Sequence, residues 1–216
     1  MASEATARVL TPASRPQLRA VPGYGGGRPR GGGLIVSNAR LGMIGLLAAE
    51  SMMFFGLIGA YLVFRYGSAT WPPPGQPHLP LLVTWVNTVV LLTSGLTMQG
   101  ALRAARCGDA ATLAMRLTIT AALGVVFLLV QGSEWVGLIR HGLTLSSSSY
   151  GSAFYTLIGF HGLHVFGAVV WLLLVARGAR QGKYTASQHV PVDLCSMYWT
   201  FVVGLWVLLF VLVYLR

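Results

Sequence analysis

Apolar residues along this chain gather into five runs, at about 38–66, 81–105, 113–141, 151–178 and 192–215. Each exceeds the roughly 20 residues that a helix needs to cross a bilayer. The breaks between them are equally clear. TWPPPGQPHLP (70–80) cannot be helical because its prolines lack amide donors and clash with the preceding turn. CGDA (107–110) is a short turn, LTLSSSSYG (143–151) a polar loop, and GKYTASQHVP (182–191) a second loop ending in Pro191, which suits a helix start. The pattern predicts an all-α integral membrane bundle of five transmembrane helices, spanning residues 37–216 after a flexible basic tail, 1–36.

Composition agrees. Of 216 residues, 55% are hydrophobic and only 9% charged, with mean hydropathy +0.67. A soluble domain carries about 25% charged residues. The net charge of +10 does not signal nucleic-acid binding, because the basic residues flank the apolar runs. Arg8, Arg15, Arg19, Arg28, Arg30, Arg40, Arg103, Arg106, Arg116, Arg177, Arg180 and Lys183 fall at one end of the bundle, against Arg65, Arg140 and Arg216 at the other. Basic residues concentrate on the cytoplasmic side, so the N-terminus is expected inside and the C-terminus outside. An odd number of spans requires that separation. The tail has no apolar core with a small-residue cleavage site, so it does not read as a signal peptide; it suits an anionic membrane surface or an acidic partner. Cys107 and Cys195 have no nearby partner cysteine and read as free thiols.

The polar residues within the spans are where chemistry is to be sought, because an ionisable group in lipid is costly unless paired, hydrated or neutral. Glu50 lies near the middle of the first span. It reads either as a neutral carboxyl bonded to a neighbouring helix or as a proton-exchanging or lipid-contacting group. Glu134 sits near the outer end of the third and reads as a buried polar bond between helices, with His161 or a backbone amide as candidate partners. His161 and His164, three residues apart, share one helix face. At 1.5 Å per residue, Glu50 lies roughly 24 Å from the outer end, His164 roughly 21 Å, His161 roughly 16 Å and Glu134 roughly 10 Å. Glu50 and His164 are therefore expected at one level. His78, His141 and His189 lie in loops or at span ends, so no set for a buried haem or copper site assembles. The two intramembrane histidines read as structural, bonded to carbonyls or carboxylates.

Four stretches, AAESMMFFGLIGAYLVFR (48–65), QGSEW (131–135), GFHGLHV (159–165) and MYWTFVVGLWVLLF (197–210), resemble subunit III of haem-copper cytochrome c oxidases. The resemblance runs in order over about 36–216, in the manner of the shorter five-helix bacterial forms. It implies an accessory subunit that binds no redox cofactor, with haem and copper in partner subunits I and II. A small subunit IV and cytochrome c as donor are further implied partners. It also implies a V-shaped cleft holding structural phospholipids, support of proton uptake, and a bacterial inner membrane location. Glu50 matches that family's reactive mid-membrane carboxylate; His161 and His164 match its hallmark histidines. Glu134 and Arg65 join them as candidates for lining the lipid cleft or supporting proton uptake. With Arg65, Trp71 and Trp85 at the interfaces, the first two spans are expected to group apart from the last three, with lipid between. The family commonly reads YWHFVDxxW where this chain has YWTFVVGLW, so Thr200 and Val203 replace a His and an acidic residue. That departure leaves open a quinol oxidase or nitric oxide reductase subunit. A proton-coupled transporter using Glu50 and Glu134 is the reading from another class; no internal repeat supports it.

Overall fold

A computed structural model describes residues 37–73 and 81–215. The basic tail and most of the proline-rich connection lie outside the described residues. Five helices follow: α1 (Asn38–Gly67), α2 (Leu81–Cys107), α3 (Ala110–Arg140), α4 (Ser149–Arg180) and α5 (Val190–Leu209), the last continued by a π-helical turn, Phe210–Tyr214. All five are long and apolar enough to cross a membrane. No β-strand occurs among the described residues.

Local chemistry sets the boundaries. The Ser37 and Ser148 hydroxyls accept from the amides of Arg40 and Gly151, and the Asp109 carboxylate from that of Thr112, each meeting an orphan donor of a first helical turn. Asp109 explains why α3 begins three residues earlier than hydropathy alone suggests. The C-terminal ends of α2, α3 and α4 share one device. Gly108, Gly142 and Gly182 take φ of 75°, 89° and 68°, and the amides of Asp109, Leu143 and Lys183 return to the carbonyls of Ala104, Leu138 and Gly178 at 3.0–3.1 Å. Glycine reaches this left-handed conformation without a Cβ clash, so each helix stops there and the chain turns back.

Helices α2, α3, α4 and α5 form a closed ring in which each packs on the next and α5 returns to α2. The α2–α3 contact is the most extensive. Its small and polar residues, such as Ala101 and Ala105, admit close approach, and Thr97 and Thr120 share a hydroxyl hydrogen bond of 2.8 Å. The interior is filled by Trp199, Trp206, Phe127 and Leu91. At Gly124 a Cβ would come within 2.6 Å of the Trp199 ring, so its absence makes room for the indole. Helix α1 lies outside the ring, against α4 and α5.

This corrects the expected grouping of α1 with α2, since the two do not pack extensively on each other. In lipid, chain neighbours gain nothing from contact unless their surfaces mesh. The connection from Gly67 to Leu81 leaves 13 residues between (81 − 67 − 1), ample to carry α2 away.

Candidate functional site

The stripe by which α1 meets the ring contains Arg40, Met43, Glu50, Phe54, Ile58, Tyr61 and Arg65. At 100° per residue these seven fall within an arc of roughly 80°. Arg40 Nε and Nη2 donate to the Asp193 carboxylate of α5 at 2.5 and 2.9 Å, with Arg106 of α2 3.5 Å from the same group. At the other end, Arg65 Nη1 donates to the Leu212 carbonyl at 3.0 Å. That carbonyl belongs to the π-helical turn that ends α5, where acceptors lack partners and a cation is favoured by the helix dipole. The two contacts make α1 and α5 parallel.

Between them, Glu50 Oε2 lies 2.7 Å from His164 Nε2 of α4, with both side chains largely but not fully buried. The approach has ion-pair distance without hydrogen-bond alignment. His164 Nδ1 lies 2.7 Å from the Phe160 carbonyl, which can only accept, so Nδ1 carries a proton. A proton shared between Nε2 and Glu50 would be held either as an imidazolium facing a carboxylate or as a neutral ring facing a carboxylic acid. Transfer of that proton within the pair changes no net charge, so one proton can be held there without an isolated charge in the bilayer. Phe54 sets its edge against His164, with centroids 5.1 Å apart, and covers the pair on one side.

His161 behaves differently. It is buried and its ring stacks on Trp206 at 5.3 Å, yet neither ring nitrogen has a hydrogen-bond partner. The polar bond between helices expected of Glu134 is formed, but its partner is not His161. Glu134 instead accepts from the Thr84 hydroxyl of α2 at 3.2–3.3 Å and from Gln131 Nε2 at 3.2 Å, one turn back on its own helix. Depth placed Glu134 and His161 within reach, but rotation about the helix axes turns Glu134 toward α2. Gln131 Nε2 also lies 3.2 Å from the Tyr214 hydroxyl, tying this cluster to the end of α5.

Sequence reasoning missed Asp193. A signal existed: α1 and α5 both begin at the basic end, so an acid three residues into α5 stands level with Arg40. It also left Thr200 and Val203 without a role. Thr200 accepts from Gln99 Nε2 at 2.9 Å and links α2 to α5, while Val203 is buried beside Gly95. Among the described residues no three His, Cys, Asp or Glu side chains come together in a metal-binding group.

Residues 32–216 match the family described as cytochrome c oxidase subunit III. The chain is 42% identical over 175 residues to a cytochrome c oxidase subunit 3 from Synechocystis sp., covering 81% of this chain and 74% of that one. It is 37% identical over 176 residues to the subunit 3 of Thermostichus vulcanus, covering 81% and 86%. A probable cytochrome c oxidase subunit 3 from Nocardia farcinica is 38% identical over 176 residues, with the same coverage as the latter.

Proposed function

The chain belongs to the cytochrome c oxidase subunit III family, and from that membership we propose that it is the accessory, cofactor-free subunit of a proton-pumping haem-copper terminal oxidase. It is a multi-pass membrane subunit of an oxidase complex. In this reading it sits in a bacterial inner membrane with its N-terminus at the cytoplasmic face, where the basic helix ends gather. It stabilises the catalytic subunit I beside subunit II, with or without a small subunit IV. Cytochrome c is the donor, and haem and copper reside in the partners.

Two roles are assigned to its own residues. The first is support of proton uptake, and the observation that carries it is the Glu50–His164 pair: a carboxyl and an imidazole in contact midway along two spanning helices, able to hold one proton between them. Arg40 and Arg65 set the position of α1 and so deliver Glu50 to His164. The second is phospholipid binding. Both α1 and α2 flank α5 without packing extensively on each other, and the free side of α5, including Val207 and Val211, stays exposed between them. That groove, rather than one between the first two helices and the last three, is the lipid cleft of this reading.

The test is Glu50→Gln in the purified complex with full subunit content. The amide has the same shape but cannot exchange the proton. Initial oxygen consumption should match the unsubstituted complex, with the rate declining faster over sustained turnover. Loss of activity from the first turnover would make Glu50 catalytic and overturn the accessory reading.

A further inference from the structure

Toward the basic end of the bundle, a groove of about 590 Å³ runs between α3 and α4. Ala122, Val125 and Val126 of α3 face Leu173 and Ala176 of α4 across it. The alanines are too small to close the gap, so an apolar slot stays open. Its mouth is of another kind. Arg177 and Arg180 stand in the last turn of α4, on the same stripe as Leu173 and Ala176. Arg180 Nη2 donates to Thr118 Oγ1 of α3 at 3.0 Å, which holds the guanidinium across the mouth with further N–H donors unspent. Neither arginine has an acidic partner among the described residues, because the described acids are engaged elsewhere. Glu50 meets His164, Glu134 meets Thr84 and Gln131, Asp193 meets Arg40 and Arg106, and Asp109 caps α3. Arg116 of α3 reaches the other way, over Gly100 of α2.

We propose that this groove is a site for one anionic phospholipid, separate from the groove along α5, with the phosphate between Arg177 and Arg180 and an acyl chain in the slot. Charge selects the headgroup. Guanidinium groups match phosphate oxygens with paired N–H donors, and basic pockets between spanning helices hold anionic headgroups in this way. A lipid with a net negative headgroup neutralises the two cations, whereas a zwitterionic one brings its own ammonium toward them. Shape selects a lipid over a free phosphate ion. From Arg180 to Leu173 the wall rises about 10 Å at 1.5 Å per residue, an apolar surface that an acyl chain covers and an inorganic ion leaves bare. A partner subunit's helix would need an acid of its own at this level to meet the same two charges. The lipid comes from the leaflet at the basic end, where both arginines lie at a helix C-terminus that favours cations.

The purified complex of full subunit content, titrated with phosphatidylglycerol or with phosphatidylcholine of the same chains, tests this by native mass spectrometry. In the double variant Arg177→Gln/Arg180→Gln, one phosphatidylglycerol adduct should weaken by roughly 10- to 30-fold. The other adducts, and all binding of phosphatidylcholine, should stay as they are. No weakening, or equal weakening for both lipids, overturns the proposal. Ala122→Phe keeps both arginines and fills the slot from an exposed position, so the same adduct should be lost. Unimpaired binding in that variant would show a phosphate held without a seated chain, and the site would fall. An image of the unsubstituted complex should show chain-like density in the groove, with its head within about 4 Å of the two guanidinium groups. A partner subunit's helix in that place would overturn the proposal, and this image decides if the variants fail to assemble.

Discussion

Helices α1 and α5 run parallel and touch, yet they are held in opposite ways. Half of the apolar window of α5 is buried within the bundle, against 17% of that of α1. Trp199 and Trp206 anchor α5 by filling the ring, and their indole N–H groups find Ser94 and Thr88 of α2 at 3.2 and 3.0 Å. Helix α1 has no comparable interior. It depends on three polar contacts spread along its length, Arg40–Asp193, Glu50–His164 and Arg65–Leu212, with Phe54 and Tyr61 packed between them. The difference follows from the solvent. Lipid tails are as apolar as leucine, so a helix face gains little by leaving them for protein. A central helix is retained by dense packing, and a peripheral one must be fixed by polar bonds.

The comparison can be broken most severely at Trp206. Replacing it with alanine removes one of the two largest interior side chains of α5, takes the indole donor from Thr88 and opens a cavity, at a cost of about 3–5 kcal/mol. Thermal dissociation of the purified complex should show it as early loss of the whole subunit. Gly124→Ala attacks the same packing from the opposite side, by forcing a methyl against Trp199, and should cost about 1–3 kcal/mol.

Asp193→Asn tests the other mode of attachment. The charged fork to Arg40 becomes a neutral contact, and the expected loss is about 1–2 kcal/mol. Its signature should be local. Cross-linking between engineered cysteines on α1 and α5 should fall while the ring of α2 to α5 stays intact; equal loosening of both would show that α1 is not separately held. Smaller again is the coupling between Glu50 and His164. A double-mutant cycle with Glu50→Gln and His164→Gln should give about 0.6 kcal/mol, the usual scale for side-chain bonds between helices in lipid, and no more than roughly 1.7 kcal/mol.

The smallest effect lies outside the spans and separates capping from both modes. Hydrogen bonds from the Thr112 side chain and backbone hold the Asp109 carboxyl below the usual carboxylate range. A group with a depressed folded value stabilises above its unfolded value, near pH 4, and that contribution fades as pH falls through the folded value. Amide exchange at Thr112 should therefore quicken, relative to its intrinsic rate, on acidification below about pH 4. In Asp109→Asn, which keeps the acceptor but does not titrate, that dependence should vanish.

Much of the candidate site was legible before the structure. Counting 1.5 Å per residue put Glu50 and His164 at one level, and they are in contact. Depth alone failed for Glu134, because level says nothing of azimuth: its carboxylate turns to Thr84 while His161 faces the Trp206 ring. Asp193 was overlooked because it lies at a helix end, where a lone acid looks solvated until a parallel neighbour brings Arg40 to it.

From the sequence by itself came the five spans and the breaks between them, the depths of Glu50, Glu134, His161 and His164, and the resemblance that pointed to the family. Transfer into lipid and hydrogen bonding within one helix depend on residues close together in the chain, so a linear reading captures them. Tertiary structure alone decided that α2 closes a ring with α5, that α1 rides outside it on three polar contacts, and that His161 meets the Trp206 ring and not Glu134. Those outcomes depend on how helix surfaces mesh and rotate against one another, and apolar faces that are equally at home in lipid carry no one-dimensional record of which neighbour they will meet.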